Sequence, residues 1–214
     1  MTPDPTREDH QAPTRYLALG DSYTIGEAVA EEERWTHQLV DLLQAEGVPL
    51  QTPTTIARTG WTTDELDTAI DEAAPGGDFG FVTLLIGVNN QYRGRDVENY
   101  RGEFAALLER AVGFAGGDAG RVMVLSIPDW GVTPFGQASG RDPAVIAAQL
   151  DAYNAANREL TLSRGAAWVD ITPVSRLRGA EAPMVAGDGL HPSGSMYREW
   201  AQAALPTARA LLTR

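Results

Sequence analysis

The chain has 214 residues, 43% of them hydrophobic and 21% charged, the proportions of an ordinary globular protein long enough to bury a substantial core in one domain. Its 29 acidic and 17 basic residues give a formal charge of −12. Without a basic run, that charge excludes a nucleic-acid partner held through its phosphates. Cysteine is absent, which excludes disulfides, thiolate metal sites and cysteine nucleophiles, and no apolar stretch approaches the ~20 residues of a membrane span.

Residues 1–13 are polar and proline-rich and read as a flexible N-terminal arm. They lack the apolar stretch of a signal peptide, so a cytoplasmic location is expected. Residues 14–214 read as a single domain. In chain order the apolar patterning predicts a strand over 16–19, a helix over 32–46, a strand over 54–57 and a helix over 63–73. A strand over 81–86, a helix over 97–112 and a strand over 122–127 follow. The chain ends with a helix over 143–163, a strand over 167–171 and a helix over 193–212. The strands are short and rich in Val, Ile and Leu, as in a parallel sheet covered on both faces. Strand–helix alternation predicts an α/β fold, a three-layer α/β/α sandwich with right-handed crossovers. Thr62-Thr63-Asp64-Glu65 supplies a helix cap with carboxylates in the first turn, and Asp142-Pro143 a capping aspartate before a proline. Gly76-Gly77 and Gly116-Gly117 read as turns, not linkers.

Ligands of open α/β sheets collect at the carboxyl ends of the strands, and the residues with chemical potential fall there. Ser22, in Gly20-Asp21-Ser22-Tyr23, follows the first strand. Gly60, in Arg58-Thr59-Gly60-Trp61, follows the second, and Asn89, in Gly87-Val88-Asn89-Asn90, the third. Asp188-Gly189-Leu190-His191-Pro192 lies in the loop after the fifth. A lone Gly-Asp-Ser is an ordinary turn, Gly60 alone a hinge and Asn89 alone a cap. Together, Ser22 with an Asp and a His three apart form the equipment of serine-based acyl transfer.

In these four blocks the chain resembles the SGNH hydrolases of the GDSL esterase–lipase family, over residues 17–192. The resemblance implies a single catalytic domain with a flavodoxin-like five-stranded parallel sheet in the order 2-1-3-4-5. It implies Ser22, Asp188 and His191 as the catalytic triad, and Ser22, Gly60 and Asn89 as the oxyanion hole. The third block of the family often ends in Asn-Asp; here Asn90 stands in the acidic place and changes the hydrogen bonding beside Asn89. Tyr23 occupies a position where many members carry leucine. The Gly-x-Ser-x-Gly elbow of the larger α/β-hydrolases is absent.

The expected function is hydrolysis of small or short-chain carboxylic esters, such as acetyl esters, through an acyl-enzyme. Lysophospholipase, thioesterase or acyltransferase activity on the same triad is the alternative, and a non-catalytic binding module the least favoured. Trp61, Tyr92, Trp130 and Phe135 are expected to line the substrate site, with residues 127–135 as a rigid aromatic wall. Arg93 and Arg95 are expected to pair with nearby acids rather than meet substrate. No cofactor and no metal is expected, because no two histidines fall at ligand spacing on one element. His37 reads as a surface or packing residue of its helix, and His10 belongs to the arm. The expected partner is a small-molecule ester, with no nucleic acid and no membrane insertion; oligomeric state is not legible.

Overall fold

The computed structural model describes residues 12–214; the expected arm lies almost entirely outside the described residues, as does His10. In chain order the elements are β1 (Tyr16–Gly20), α1 (Ser22–Ile25), α2 (Trp35–Ala45), β2 (Thr54–Ala57), α3 (Thr63–Ala73), β3 (Phe81–Leu85) and α4 (Val88–Tyr92). They continue with α5 (Val97–Phe114), β4 (Val122–Leu125), α6 (Pro134–Ala138), α7 (Pro143–Arg164), β5 (Ala167–Val169), α8 (Thr172–Arg178) and α9 (Gly194–Leu212). The strands form one sheet, β2-β1-β3-β4-β5, parallel at every pairing.

The burial of each strand follows its place in that order. Every residue of β1, β3 and β4 is buried, whereas the edge strands β2 and β5 are partly open, which is why the central strands read as almost wholly apolar runs. Helix α2 packs on α9 in one layer, while α5 packs against both α3 and α7 in the other. Trp35 on α2, Tyr197 and Trp200 on α9, and Tyr100 and Phe104 on α5 are all fully buried.

Three strands end earlier than their apolar runs predict. Ile86, Ile127 and Ile171 are buried but lie beyond the strands, where the chain bends across the sheet edge; the Ile127 N–H donates to Asn154 Oδ1 at 2.7 Å instead of to a strand. Helix α2 begins at Trp35 because Arg34 is extended, leaving Glu31–Glu33 as a separate 3₁₀ turn. The helices α1, α4, α6 and α8 had no periodic signal, since four to seven residues are too few to establish one.

Because the order reverses direction at β1, the chain leaves β1 toward β2 on one side and reaches β3 on the other. The crevice at the carboxyl ends of β1 and β3 is the topological switch point, the preferred ligand position in such sheets. Ser22 and Asn89 stand at the two lips of that crevice.

Candidate active site

Strand β1 ends at Gly20 and the chain turns at once into α1, with Asp21 capping it: the Tyr23 N–H donates to Asp21 Oδ1 at 3.0 Å. Ser22 is therefore the first residue of a helical turn, where a backbone N–H has no intrahelical acceptor. Asp21 is completely buried. Burial pushes its carboxyl up to about 7, against the lowering effect of backbone N–H groups that include those of Tyr23 and Gly87. Among the described residues its Oδ2 has no hydrogen-bond partner.

The loop before α9 folds back on itself. Val185 and Pro192 form an antiparallel bridge, the Ala186 N–H donates to the His191 carbonyl at 2.8 Å, and the Gly189 carbonyl accepts from the Phe135 N–H at 2.9 Å. Within it, Asp188 Oδ1 accepts the backbone N–H groups of Leu190 and His191, both at 2.9 Å. Its Oδ2 lies 2.6 Å from His191 Nδ1. Partial burial raises the Asp188 carboxyl, but the bonds from the His191 ring and the two backbone groups outweigh it and hold the group below the usual carboxylate range. With Nδ1 bound to a carboxylate, His191 presents Nε2 as its free nitrogen. The Tyr23 ring meets the His191 ring edge-on, with centroids 6.1 Å apart.

Gly87 introduces α4 at φ +128°, and a Cβ there would lie 2.6 Å from the Tyr100 ring; only glycine lets the chain turn so close to the core. Asn89 then donates from Nδ2 to the Trp61 carbonyl at 2.9 Å, which fixes the amide plane and leaves its second N–H free. The next residue, Asn90, is fully buried. Its Oδ1 accepts the Thr63 N–H at 3.1 Å and its Nδ2 donates to Thr63 Oγ1 at 2.6 Å. The amide therefore supports this corner from both ends, with Glu103 Oε2 a further 3.4 Å contact of Nδ2. Gly60, at φ +87°, has open space where a side chain would stand, so its requirement is conformational.

Ser22, Asn89 and His191 line one cavity of about 210 Å³, together with Tyr23, Val88, Tyr92, Trp130, Phe135 and Leu190. Among the described residues no hydrogen bond joins Ser22 Oγ to the His191 ring. Gly60 and Asp188 are not among the residues lining it, and Trp61 is half-buried against the core, offering its carbonyl to Asn89. The aromatic wall is ordered by Trp130: its Nε1 donates to Gln91 Oε1 at 2.8 Å, and it meets Tyr92 and Phe135 at ring-centroid distances of 5.3 and 6.1 Å. The Arg141 guanidinium stacks over Tyr92 at 4.4 Å.

Tyr23, Val88 and Leu190 were not singled out as lining residues, although each adjoins or interrupts a recognised block; Gln91 and Arg141 carried no such signal. Arg93 pairs with Glu65 and Arg95 with Asp64. His37 is a partly buried residue of α2 whose Nε2 lies 3.1 Å from Glu31 Oε1. Among the described residues no three His, Asp or Glu side chains are gathered to hold a metal ion, and no helix is long and apolar enough to cross a membrane.

Comparison with known proteins gives the geometry a context. A model of the GDSL-like lipase/acylhydrolase family matches residues 18–199. No curated protein matches the chain. Among solved structures, TesA aligns with a TM-score of 0.73 at 16% identity, over 92% of this chain and 99% of that one. An acetylxylan esterase, Axe2 from Geobacillus stearothermophilus, aligns with a TM-score of 0.68 at 18% identity, over 92% of this chain and 94% of that one. A lipase/acylhydrolase from Enterococcus faecalis gives 0.67 at 18% identity, over 92% and 97%. At such identities the likeness is one of fold.

Proposed function

The chain belongs to the GDSL-like lipase/acylhydrolase family, and on that premise we propose that it is a serine esterase of short-chain acyl esters that works through a covalent acyl-enzyme on Ser22. The observation that carries this reading is the His191 ring, bound at Nδ1 by Asp188 and lining the same cavity as Ser22 and Asn89.

In this mechanism His191 Nε2 removes the Ser22 hydroxyl proton as Oγ attacks the ester carbonyl. Asp188 stabilises the imidazolium that results. The tetrahedral oxyanion takes hydrogen bonds from the Ser22 N–H, the Gly60 N–H and the free N–H of the Asn89 amide. Collapse breaks the bond to the alcohol, which leaves with the proton from His191. Water then attacks the acyl-enzyme with His191 again as base, and Ser22 is regenerated.

Cavity size supports a small acyl group. A volume of about 210 Å³ closed by Tyr92, Trp130 and Phe135 is smaller than the 300–1,000 Å³ typical of drug-sized ligand sites. The acetylxylan esterase of matching fold is named for removal of a group of this size. The test is hydrolysis of p-nitrophenyl acetate, butyrate and decanoate by the wild type and by Ser22→Ala. Expected are a fall in kcat/KM with chain length and background rates for the variant. Full turnover by Ser22→Ala contradicts the mechanism, and a preference for decanoate contradicts the substrate class.

A further inference from the structure

Four consecutive ties join the segment after β2 to α4 and the turn that follows it. Asn89 Nδ2 donates to the Trp61 carbonyl, and Asn90 bonds both the backbone and the hydroxyl of Thr63. Arg93 pairs with Glu65, and Arg95 Nη1 bonds Asp64 Oδ1 at 2.6 Å. Arg93 does more than pair. While Nη1 is 3.0 Å from Glu65 Oε1, Nη2 donates to the Gly60 carbonyl at 2.6 Å. Glu65 is itself anchored, accepting the Thr62 N–H at 2.9 Å, and the bond from Arg93 holds its carboxyl below the usual range. The Arg93 N–H, in turn, bonds the Asn89 carbonyl at 3.0 Å.

We infer that Arg93 is a positioning residue that locks the Gly60 peptide and the Asn89 amide into one rigid oxyanion frame. Two consecutive carbonyls, of Gly60 and Trp61, are each held by a residue of the 89–93 segment, one by Arg93 and the other by Asn89. Gly60 lacks side-chain contacts of its own, and its backbone occupies the freely varied φ region of glycine. The peptide that follows it is held from both sides, its Trp61 N–H by the Arg58 carbonyl at 3.3 Å and its Gly60 carbonyl by Arg93, and through that peptide Arg93 restrains the neighbouring Gly60 N–H. A surface ion pair contributes little to stability in itself; the value of this one is geometric, because a donor displaced by about 1 Å costs on the order of 100-fold in rate. Lysine cannot replace it fully, since one ammonium lacks the planar fork that reaches a carboxylate and a carbonyl together.

This inference rests on the serine-esterase reading, and its test separates the two. Steady-state hydrolysis of p-nitrophenyl acetate is measured for the wild type, Arg93→Ala and Arg93→Lys, with melting temperatures alongside. Expected are a kcat lowered by about 10–100-fold in Arg93→Ala, KM within about twofold, an intermediate kcat in Arg93→Lys, and partial recovery of the alanine variant by millimolar guanidinium. A kcat within twofold of wild type in both variants overturns the inference, as does a loss confined to KM. If Arg93→Ala does not fold, Arg93→Lys decides by the same criterion. Wild-type protein without turnover on any ester overturns the esterase reading, and this inference with it.

Discussion

Asp188 binds His191 twice, through Oδ2 to the ring Nδ1 at 2.6 Å and through Oδ1 to the backbone N–H at 2.9 Å. One carboxylate thus sets both the ring orientation and the turn that carries it, an economy available because the two residues are three apart in a tight loop. The two functions separate in Asp188→Asn. The amide oxygen still accepts the backbone bonds, but its NH₂ faces Nδ1 as a donor and stabilises the wrong tautomer. The expected result is a kcat lowered by about 10²–10⁴-fold with a melting temperature near that of wild type, measured by steady-state kinetics and calorimetry.

Asn90→Asp tests why an amide stands beside Asn89. Asn90 Nδ2 is 3.4 Å from Glu103 Oε2 in a fully buried position. A carboxylate there is itself buried and faces the carboxylate of the partly exposed Glu103, which lies 3.6 Å from Arg95; burial and the like charge together hold its proton more tightly in the folded state. Its stability contribution is then present at acid pH and lost as pH rises. The melting temperature of Asn90→Asp is expected to fall below wild type at pH 8 and to approach it near pH 4.

Asp21 supplies a pH signature of its own. Its folded-state value, pushed up to about 7 by burial, lies above the unfolded one. The stability it contributes is therefore complete below the unfolded carboxylate range and lost as pH rises through about 7. Asp21→Asn retains the acceptor for the Tyr23 N–H and removes the buried charge. Its melting temperature is expected to exceed that of wild type by a few degrees at pH 8 and to match it at pH 4, read by thermal unfolding across that range.

Phe135→Ala tests the wall that limits the acyl group. Phe135 is 38% exposed, so the truncation costs far less stability than loss of a core aromatic. Opening this side of the cavity is expected to raise the ratio of kcat/KM for p-nitrophenyl decanoate over acetate by about fivefold or more, since each buried methylene is worth about 0.8 kcal/mol.

The fold was readable wherever apolar runs were bounded by turn residues. β2 and α3 have their expected limits because Gly60, Thr62 and Ala74 punctuate the chain around them. The strand ends were overextended at Ile86, Ile127 and Ile171, since an isoleucine packed under a loop looks the same in sequence as one in a strand. At the site, Ser22, Asn89 and His191 were legible as blocks at strand ends, and Asp188 by its spacing from the only histidine with an acidic neighbour three residues before it. The contributions of Gln91 to Trp130 and of Arg93 to Gly60 were not legible, because both depend on which loops the sheet order brings together. Trp61 illustrates the same limit. Its place after β2 suggested a substrate contact; its side chain is half-buried against the core and outside the lining of the cavity, while its carbonyl accepts from Asn89.

The most direct measurement is covalent trapping with a p-nitrophenyl alkylphosphonate, an analogue of the tetrahedral intermediate, followed by peptide mass spectrometry. The acyl-enzyme mechanism predicts one phosphonyl group per chain, on Ser22, with stoichiometric release of p-nitrophenol, slower labelling in Asp188→Asn and none in Ser22→Ala. Labelling of another residue, or equal labelling of Ser22→Ala, would contradict it.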